Sequence, residues 1–278
     1  MVDVTQLEKY MEENNLTEKD VLNLAKMVES SNPFERNEYF IGKRNIKFGL
    51  MGDTHMGNIN YDKGLMKHAA KTFKKEKVDF VVHGGDIVDG WYQNRPLQIF
   101  ESEAIGFDQQ MKLAVEELSQ LEQPLYFITG NHEENTYKRG AGIELGTSLE
   151  DKLKNKGMEV HFLGNAEADM ILEGGTRYKM LHPDGGTAYA ISYRPQKIVE
   201  SFSGGEKPQL LSIHHFHKAE YLFHRNVHTI QGGCLEGQTQ FMRGKNIPAH
   251  KGFWVIDLQT RRGGQIDSIR PIFYPSYD

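Results

Sequence analysis

Residues 46–55, Ile46-Lys47-Phe48-Gly49-Leu50-Met51-Gly52-Asp53-Thr54-His55, decide how the chain is read. Six residues carry the apolar run of a buried strand, which breaks at a glycine straight into a carboxylate and an imidazole. The same order returns twice. "VDFVVHGG" over 78–85 is followed by Asp86 and Asp89, and "PLYFITG" over 124–130 by Asn131 and His132. Helical periodicity lies between these runs. Over 100–121, Phe100, Ala104, Phe107, Met111, Val115 and Leu118 recur at steps of three or four residues. Strands alternating with helices predict a parallel sheet, and the carboxyl ends of such strands open on one crevice where ligands bind. The polar residues are therefore expected to meet.

Beyond about residue 158 the runs shorten. Strands are expected over 159–163, 168–173, 177–182, 209–213, 227–231, 252–258 and 266–273, and helices near 187–202 and 238–244. An α/β start followed by a strand-rich half predicts sheet packed on sheet with helices outside. Residues 1–40 read differently. Leu7, Tyr10 and Met11 share one helical face, Val21, Leu24, Ala25 and Val28 follow a cap-like Thr17-x-x-Asp20, and Asn32-Pro33 stops the pattern. The expectation is an N-terminal helical arm, residues 1–40, serving packing, a homodimer or a protein partner, ahead of a main domain over 41–278.

Composition narrows the function. With 38% hydrophobic and 26% charged residues, the 278-residue chain has the balance of a globular protein. No apolar run approaches the ~20 residues that cross a bilayer. The acidic start "MVDVTQLEKYMEENN" lacks the features of a signal peptide, so no membrane role and a cytoplasmic location are expected. The net charge of −5 comes entirely from residues 1–40, which hold nine acids and four bases. A neutral main body argues against wrapping duplex DNA by charge alone, though not against binding nucleic acid locally. One cysteine, Cys234, cannot build a thiolate cluster, so any metal must be held by nitrogen and oxygen.

Taken singly, Asp-x-His, Gly-Asp and Asn-His are ordinary turn and cap sequences. In series at successive strand ends they form a group of carboxylates and imidazoles that needs cations to hold it together. "YKMLHPDGG" adds His182 at a strand end, and "SIHHFHK" over 212–218 adds His215 and His217. On an extended chain residues 215 and 217 point one way and His214 and Phe216 the other, so two of the three imidazoles can reach the site together.

The ordered set Asp-x-His, Gly-Asp-x-x-Asp, Gly-Asn-His-Glu, a single His and His-x-His resembles the calcineurin-like metallophosphoesterase superfamily over residues 46 to about 260. The second half, "GGTAYAISYRPQKIVESF" through "NVHTIQGGCLEGQTQFMR", is similar to its phage and microbial DNA-repair exonuclease-like branch. The resemblance implies a four-layer αββα sandwich preceded by the short helical appendage. It implies two divalent metal ions: one held by Asp53, His55 and His217, the other by Asn131, His182 and His215, with Asp86 bridging. Manganese is the favoured metal, with Fe, Zn or Mg as alternatives. It further implies hydrolysis of a phosphoric ester by a hydroxide shared between the ions, with His132 as catalytic acid and Asp89 and Glu133 behind the ligands. One residue departs from the pattern. The family has Gly before its His-x-His where this chain has His214, which either tilts the loop or brings a third nitrogen near the site.

Trp91 and Tyr92 after the second motif and Arg139 after the third combine aromatic faces with positive charge, a combination suited to a splayed single strand. A phosphodiesterase or nuclease acting on DNA or RNA is the preferred function. A phosphomonoesterase or small-nucleotide hydrolase with the same site is one alternative, and a non-enzymatic phosphoesterase-like scaffold subunit is another.

Overall fold

The computed structural model describes residues 38–92, 95–203 and 205–277. The helices expected in the N-terminal arm lie outside the described residues.

Two six-stranded sheets make the body of the fold. The first runs β12-β11-β2-β3-β4-β5, from β2 (Asn45–Met51), β3 (Phe80–His83), β4 (Leu125–Thr129), β5 (Val160–Asn165), β11 (Gly252–Arg261) and β12 (Gln265–Pro275). Strands β2 to β5 are parallel, and β11 and β12 extend the sheet antiparallel. The second runs β1-β6-β7-β8-β10-β9, from β1 (Glu38–Ile41), β6 (Glu167–Leu172), β7 (Thr176–Leu181), β8 (Leu210–Ile213), β9 (Ala219–His224) and β10 (Val227–Gly232).

The continuous apolar runs in β3 and β4 arise because both faces of these strands are covered. Side chains alternate across them. Leu125 and Phe127 face one core with Val81 and Phe253, while Tyr126 and Ile128 face another with Phe48, Leu50 and Val82. The second core fills the space between the sheets, where Met170, Leu172, Tyr178, Met180 and Ile230 meet the first sheet. Helices α1 (Lys63–Glu76), α2 (Phe107–Leu118) and α3 (Leu145–Lys154) cover the outer face of the first sheet. Helix α4 (Tyr193–Ser201) covers the second through Val199 against Leu211, Ile213 and Val227. The result is the αββα order of layers.

Helix α1 starts at Asp62, whose carboxylate accepts from the Leu65 N–H, and ends at Lys77 with φ 55°. Its Phe73 lies flat on β2 because residue 49 is glycine: a Cβ there would come within 2.6 Å of the ring. The single helix expected over 100–121 is broken. Pro96–Glu101 forms a 3-10 turn, and Gly106 with φ 82° separates it from α2. A short helix, α5 (Gln240–Gly244), is capped by the Thr239 hydroxyl, which accepts from the Met242 N–H.

Candidate metal centre

The loops that leave β2 and β3 are laced together by their backbones. Asp53 N–H donates to the Gly85 carbonyl at 3.0 Å, and His55 N–H donates to the Asp86 carbonyl at 3.0 Å. Asp53, His55, Asp86, His215 and His217 all have φ between 47° and 77°, the left-handed region that non-glycine residues avoid. Their side chains thereby turn inward from a tight rim, at the kind of backbone strain found at functional sites. This changes the account of "SIHHFHK". Residues 215 and 217 do not follow strand alternation, because β8 ends at Ile213 and each turns individually through positive φ.

The side chains gather into overlapping groups. His55 Nε2 lies 3.1 Å from His217 Nε2, and His217 Nε2 lies 3.7 Å from Asp53 Oδ1. His182 Nε2 lies 3.1 Å from both Asp86 Oδ2 and Asn131 Oδ1. His215 joins Asp86 and His182 with ligand atoms all within 4.8 Å, while its Nε2 lies 2.7 Å from the Gly185 carbonyl oxygen. Asp86 stands between the groups, since Oδ2 is also 3.7 Å from His55 Nε2.

These residues fit a cationic occupant. His55 Nε2, His217 Nε2 and Asp53 Oδ1 converge, with the two imidazole nitrogens buried against each other at 3.1 Å, a crowding of lone pairs that a cation among them would relieve. Burial works against charge on Asp86, yet His182, His132 and His55 around it hold its carboxyl well below the usual range. Burial opposes the charged form of His182 as well, but Asp86 and Asp53 carry it up to about 9. The same opposition at His55 is outweighed by Glu236, Asp89 and Asp86. His217, where burial dominates, is pushed down to about 3. Nitrogen and oxygen donors of this kind suit Mn, Fe or Zn. Cys234 is no competitor: it is buried, its thiol is held well above its ordinary pKa by burial, and its S–H points to the Glu236 carbonyl at 3.2 Å.

The family model for the calcineurin-like phosphoesterases matches residues 46–254, the stretch that carries every one of these residues. The chain belongs to that family. As a member, it is a metal-dependent phosphoric ester hydrolase, and the clusters just described are where such a phosphoesterase could hold its metals. Among solved structures it is similar to an archaeal phosphodiesterase at 16% identity, covering 82% of this chain and 100% of the other with a TM-score of 0.46. A dimetal phosphatase from Danio rerio is similar at 12% identity, with 84% and 100% covered and a TM-score of 0.46. Vacuolar Protein Sorting 29 from Cryptosporidium parvum is similar at 13% identity, with 84% and 100% covered and a TM-score of 0.41. No curated protein matches the chain significantly.

Around the clusters of this phosphoesterase, the remaining expected residues take distinct places. His132 Nδ1 lies 2.6 Å from the Asp89 carbonyl oxygen, so Nδ1 carries the hydrogen and donates it there. Burial lowers its pKa. Asp89 comes within 3.7 Å of His55 Nδ1 through Oδ1, while Oδ2 accepts from Gln98 at 2.9 Å and Asn58 at 3.3 Å. Glu133 touches no ligand imidazole. Its carboxylate accepts backbone N–H groups from Gly130, Val88 and Asp86 at 2.7, 2.8 and 3.2 Å, clamping the β3 loop to the β4 loop.

A cavity of about 810 Å³ opens above the clusters. His55, Asp86, Asn131, His132, His215 and His217 line it on one side, and Leu97, Phe216, Phe241, Met242 and Ile247 supply apolar wall. Arg95 also lines it, with its guanidinium 4.6 Å from the Tyr92 ring centre and 5.5 Å from that of Phe241. Trp91 and Arg139 are absent from this lining. Trp91 is half-buried, and exposed Arg139 pairs with Glu134 at 2.8 Å. Tyr92 packs edge-on against His132, ring centres 5.1 Å apart, and its hydroxyl accepts from Asn131 Nδ2 at 3.3 Å.

Sequence reading missed Glu236. It is buried, with a carboxylate oxygen 3.9 Å from His55 Nε2 and 3.8 Å from His217 Nδ1, and burial pushes its pKa up to about 8 despite His55. "GGCLEGQ" holds no spacing that marks it; only the fold brings it under the imidazoles.

Proposed function

We propose that this phosphoesterase is a two-metal phosphodiesterase whose substrate is a nucleic-acid strand. Asp53, His55 and His217 hold one ion and Asn131, His182 and His215 the other, and Asp86 serves both. The observation that carries this reading is the position of Asp86 Oδ2, 3.1 Å from His182 Nε2 and 3.7 Å from His55 Nε2. A carboxylate can bind two cations where an imidazole cannot. Two divalent ions, favoured here as manganese, supply Lewis acidity and a deprotonated water at neutral pH.

The chain's own residues do the rest. Asp86 Oδ1 accepts the His132 N–H at 2.9 Å, fixing that residue against the bridging position. With Nδ1–H engaged by the Asp89 carbonyl, Nε2 is the His132 atom left to exchange a proton with the departing oxygen. The apolar wall at Leu97, Phe241, Met242 and Ile247, next to Arg95, favours a diester bearing bases over a small polar monoester. The segment ahead of β1 serves as an arm for self-association or a protein partner; the arm ends before residue 40, because residues 38–40 pair with β6 and belong to the second sheet.

A substrate panel decides the class. With Mn2+ and with EDTA, purified protein is offered a labelled oligonucleotide, bis(p-nitrophenyl) phosphate and p-nitrophenyl phosphate. Cleavage of the two diesters that EDTA abolishes is expected. Turnover of the monoester alone overturns the phosphodiesterase reading, and purified protein with no bound transition metal and no turnover on added Mn2+ returns the chain to a scaffold role.

A further inference from the structure

His214 fills a slot made for it. The ring is fully buried at the tops of both sheets, between Gly52 after β2, Gly84 after β3 and Gly232 at the end of β10. A Cβ on any of these glycines would overlap the imidazole. None of the three has a left-handed φ, so the backbone there accepts any residue and it is space alone that calls for glycine. The slot also brings the ring to Asp53. His214 Nδ1 stands 3.5 Å from Asp53 Oδ2. Neither ring nitrogen has a partner within the protein, nor does Asp53 Oδ2, whereas Asp53 Oδ1 accepts the His215 N–H at 2.9 Å.

We infer that His214 is a positioning residue for Asp53: its Nδ1–H closes onto Oδ2 when Oδ1 takes up a cation with His55 and His217. A buried donor and a buried acceptor at 3.5 Å, each without another partner, gain a charge-assisted hydrogen bond by a shift of about half an ångström. A carboxylate held at both oxygens presents one fixed face to the metal. The imidazole thus takes the place of a glycine without blocking the site, because Gly52, Gly84 and Gly232 on three other segments make room. The inference rests on the metal reading above.

The test separates donor from filler. His214→Asn keeps an N–H near the Nδ1 position, while His214→Leu fills the slot without one. In calorimetric titration with Mn2+, the Asn variant keeps affinity within about threefold of wild type and the Leu variant loses about tenfold or more. Leu at wild-type affinity, or Asn as weak as Leu, overturns the inference. Wild-type protein that takes up no Mn2+ overturns the metal reading instead, and this inference falls with it. A second measurement needs no metal. Gly84→Ala lowers the melting temperature of the wild type by several degrees and costs little in a His214→Gly background; an equal cost in both backgrounds contradicts the shared slot.

Discussion

His55 Nε2 and His217 Nε2 lie 3.1 Å apart in the folded protein although 162 residues separate them in the chain. Two buried imidazoles approach this closely when a proton or a cation lies between their lone pairs. His217 also contacts Asp53, and His55 also contacts Asp86. The pair therefore links the aspartate of the first loop to that of the second.

Removing metal and removing proton transfer have different signatures. Asp86→Asn weakens the shared ligand and is expected to lower bound metal per chain, measured by inductively coupled plasma spectrometry after desalting. His132→Ala keeps wild-type metal and lowers kcat by about 10²- to 10⁴-fold. Equal metal loss in both variants contradicts the division of roles.

Metal uptake is expected to release protons and to strengthen as pH rises. His55 is held well above its ordinary pKa and His182 is carried up to about 9, so both carry protons near neutrality that a cation displaces. Mn2+ affinity should climb between about pH 6 and 9, with proton release seen as a dependence of the binding heat on buffer ionisation. A flat profile contradicts it.

Glu236 faces the Nδ1 side of His217 and the Nε2 side of His55. Glu236→Gln removes a carboxylate that would accept the His217 Nδ1–H once metal is bound, and is expected to weaken Mn2+ binding about 10- to 100-fold. Calorimetric titration at fixed pH checks this, and an unchanged affinity contradicts it.

His83 gives the metal-free fold an acid sensitivity of its own. Its Nδ1 accepts from the Gly85 N–H at 3.3 Å, so Nε2 carries the hydrogen towards Thr54 Oγ1 at 3.2 Å. Burial, with His214 nearby, pushes its pKa down to about 3. The folded pKa is depressed below the unfolded one, so this contribution is whole above about pH 6.5 and is lost as pH falls towards 3, at up to ~1.4 kcal/mol per pH unit. In urea unfolding of metal-free protein, His83→Gln is expected to flatten that part of the acid limb. An acid limb identical to wild type contradicts it.

The motif order exposed the parallel strands and the loop residues because strand ends and turn glycines are local signals. Other features were hidden for physical reasons. Strands β1 and β9 lie at the two edges of the second sheet, and β9 alternates half-buried with exposed side chains, so it shows no apolar run. The turn of His215 and His217 is set by positive φ rather than by strand alternation. Glu236, His83 and the slot around His214 depend on contacts between distant segments, and Arg95 joins Phe241 across the cavity mouth in the same way. Trp91 and Arg139 were singled out by nearness in sequence, which placed them beside the motifs but not in the cavity lining.

The cavity wall makes a prediction about substrate. Phe241→Ala leaves Mn2+ affinity unchanged and raises KM for a labelled oligonucleotide about tenfold, the size expected from losing one base-stacking contact. An unchanged KM removes the wall from the binding site.

The most direct measurement is anomalous diffraction from a crystal soaked in Mn2+. The account predicts two peaks on the cavity floor, one beside Asp53, His55 and His217 and one beside Asn131, His182 and His215, with Asp86 reaching both. No peak at saturating Mn2+, or peaks only elsewhere on the molecule, would contradict it.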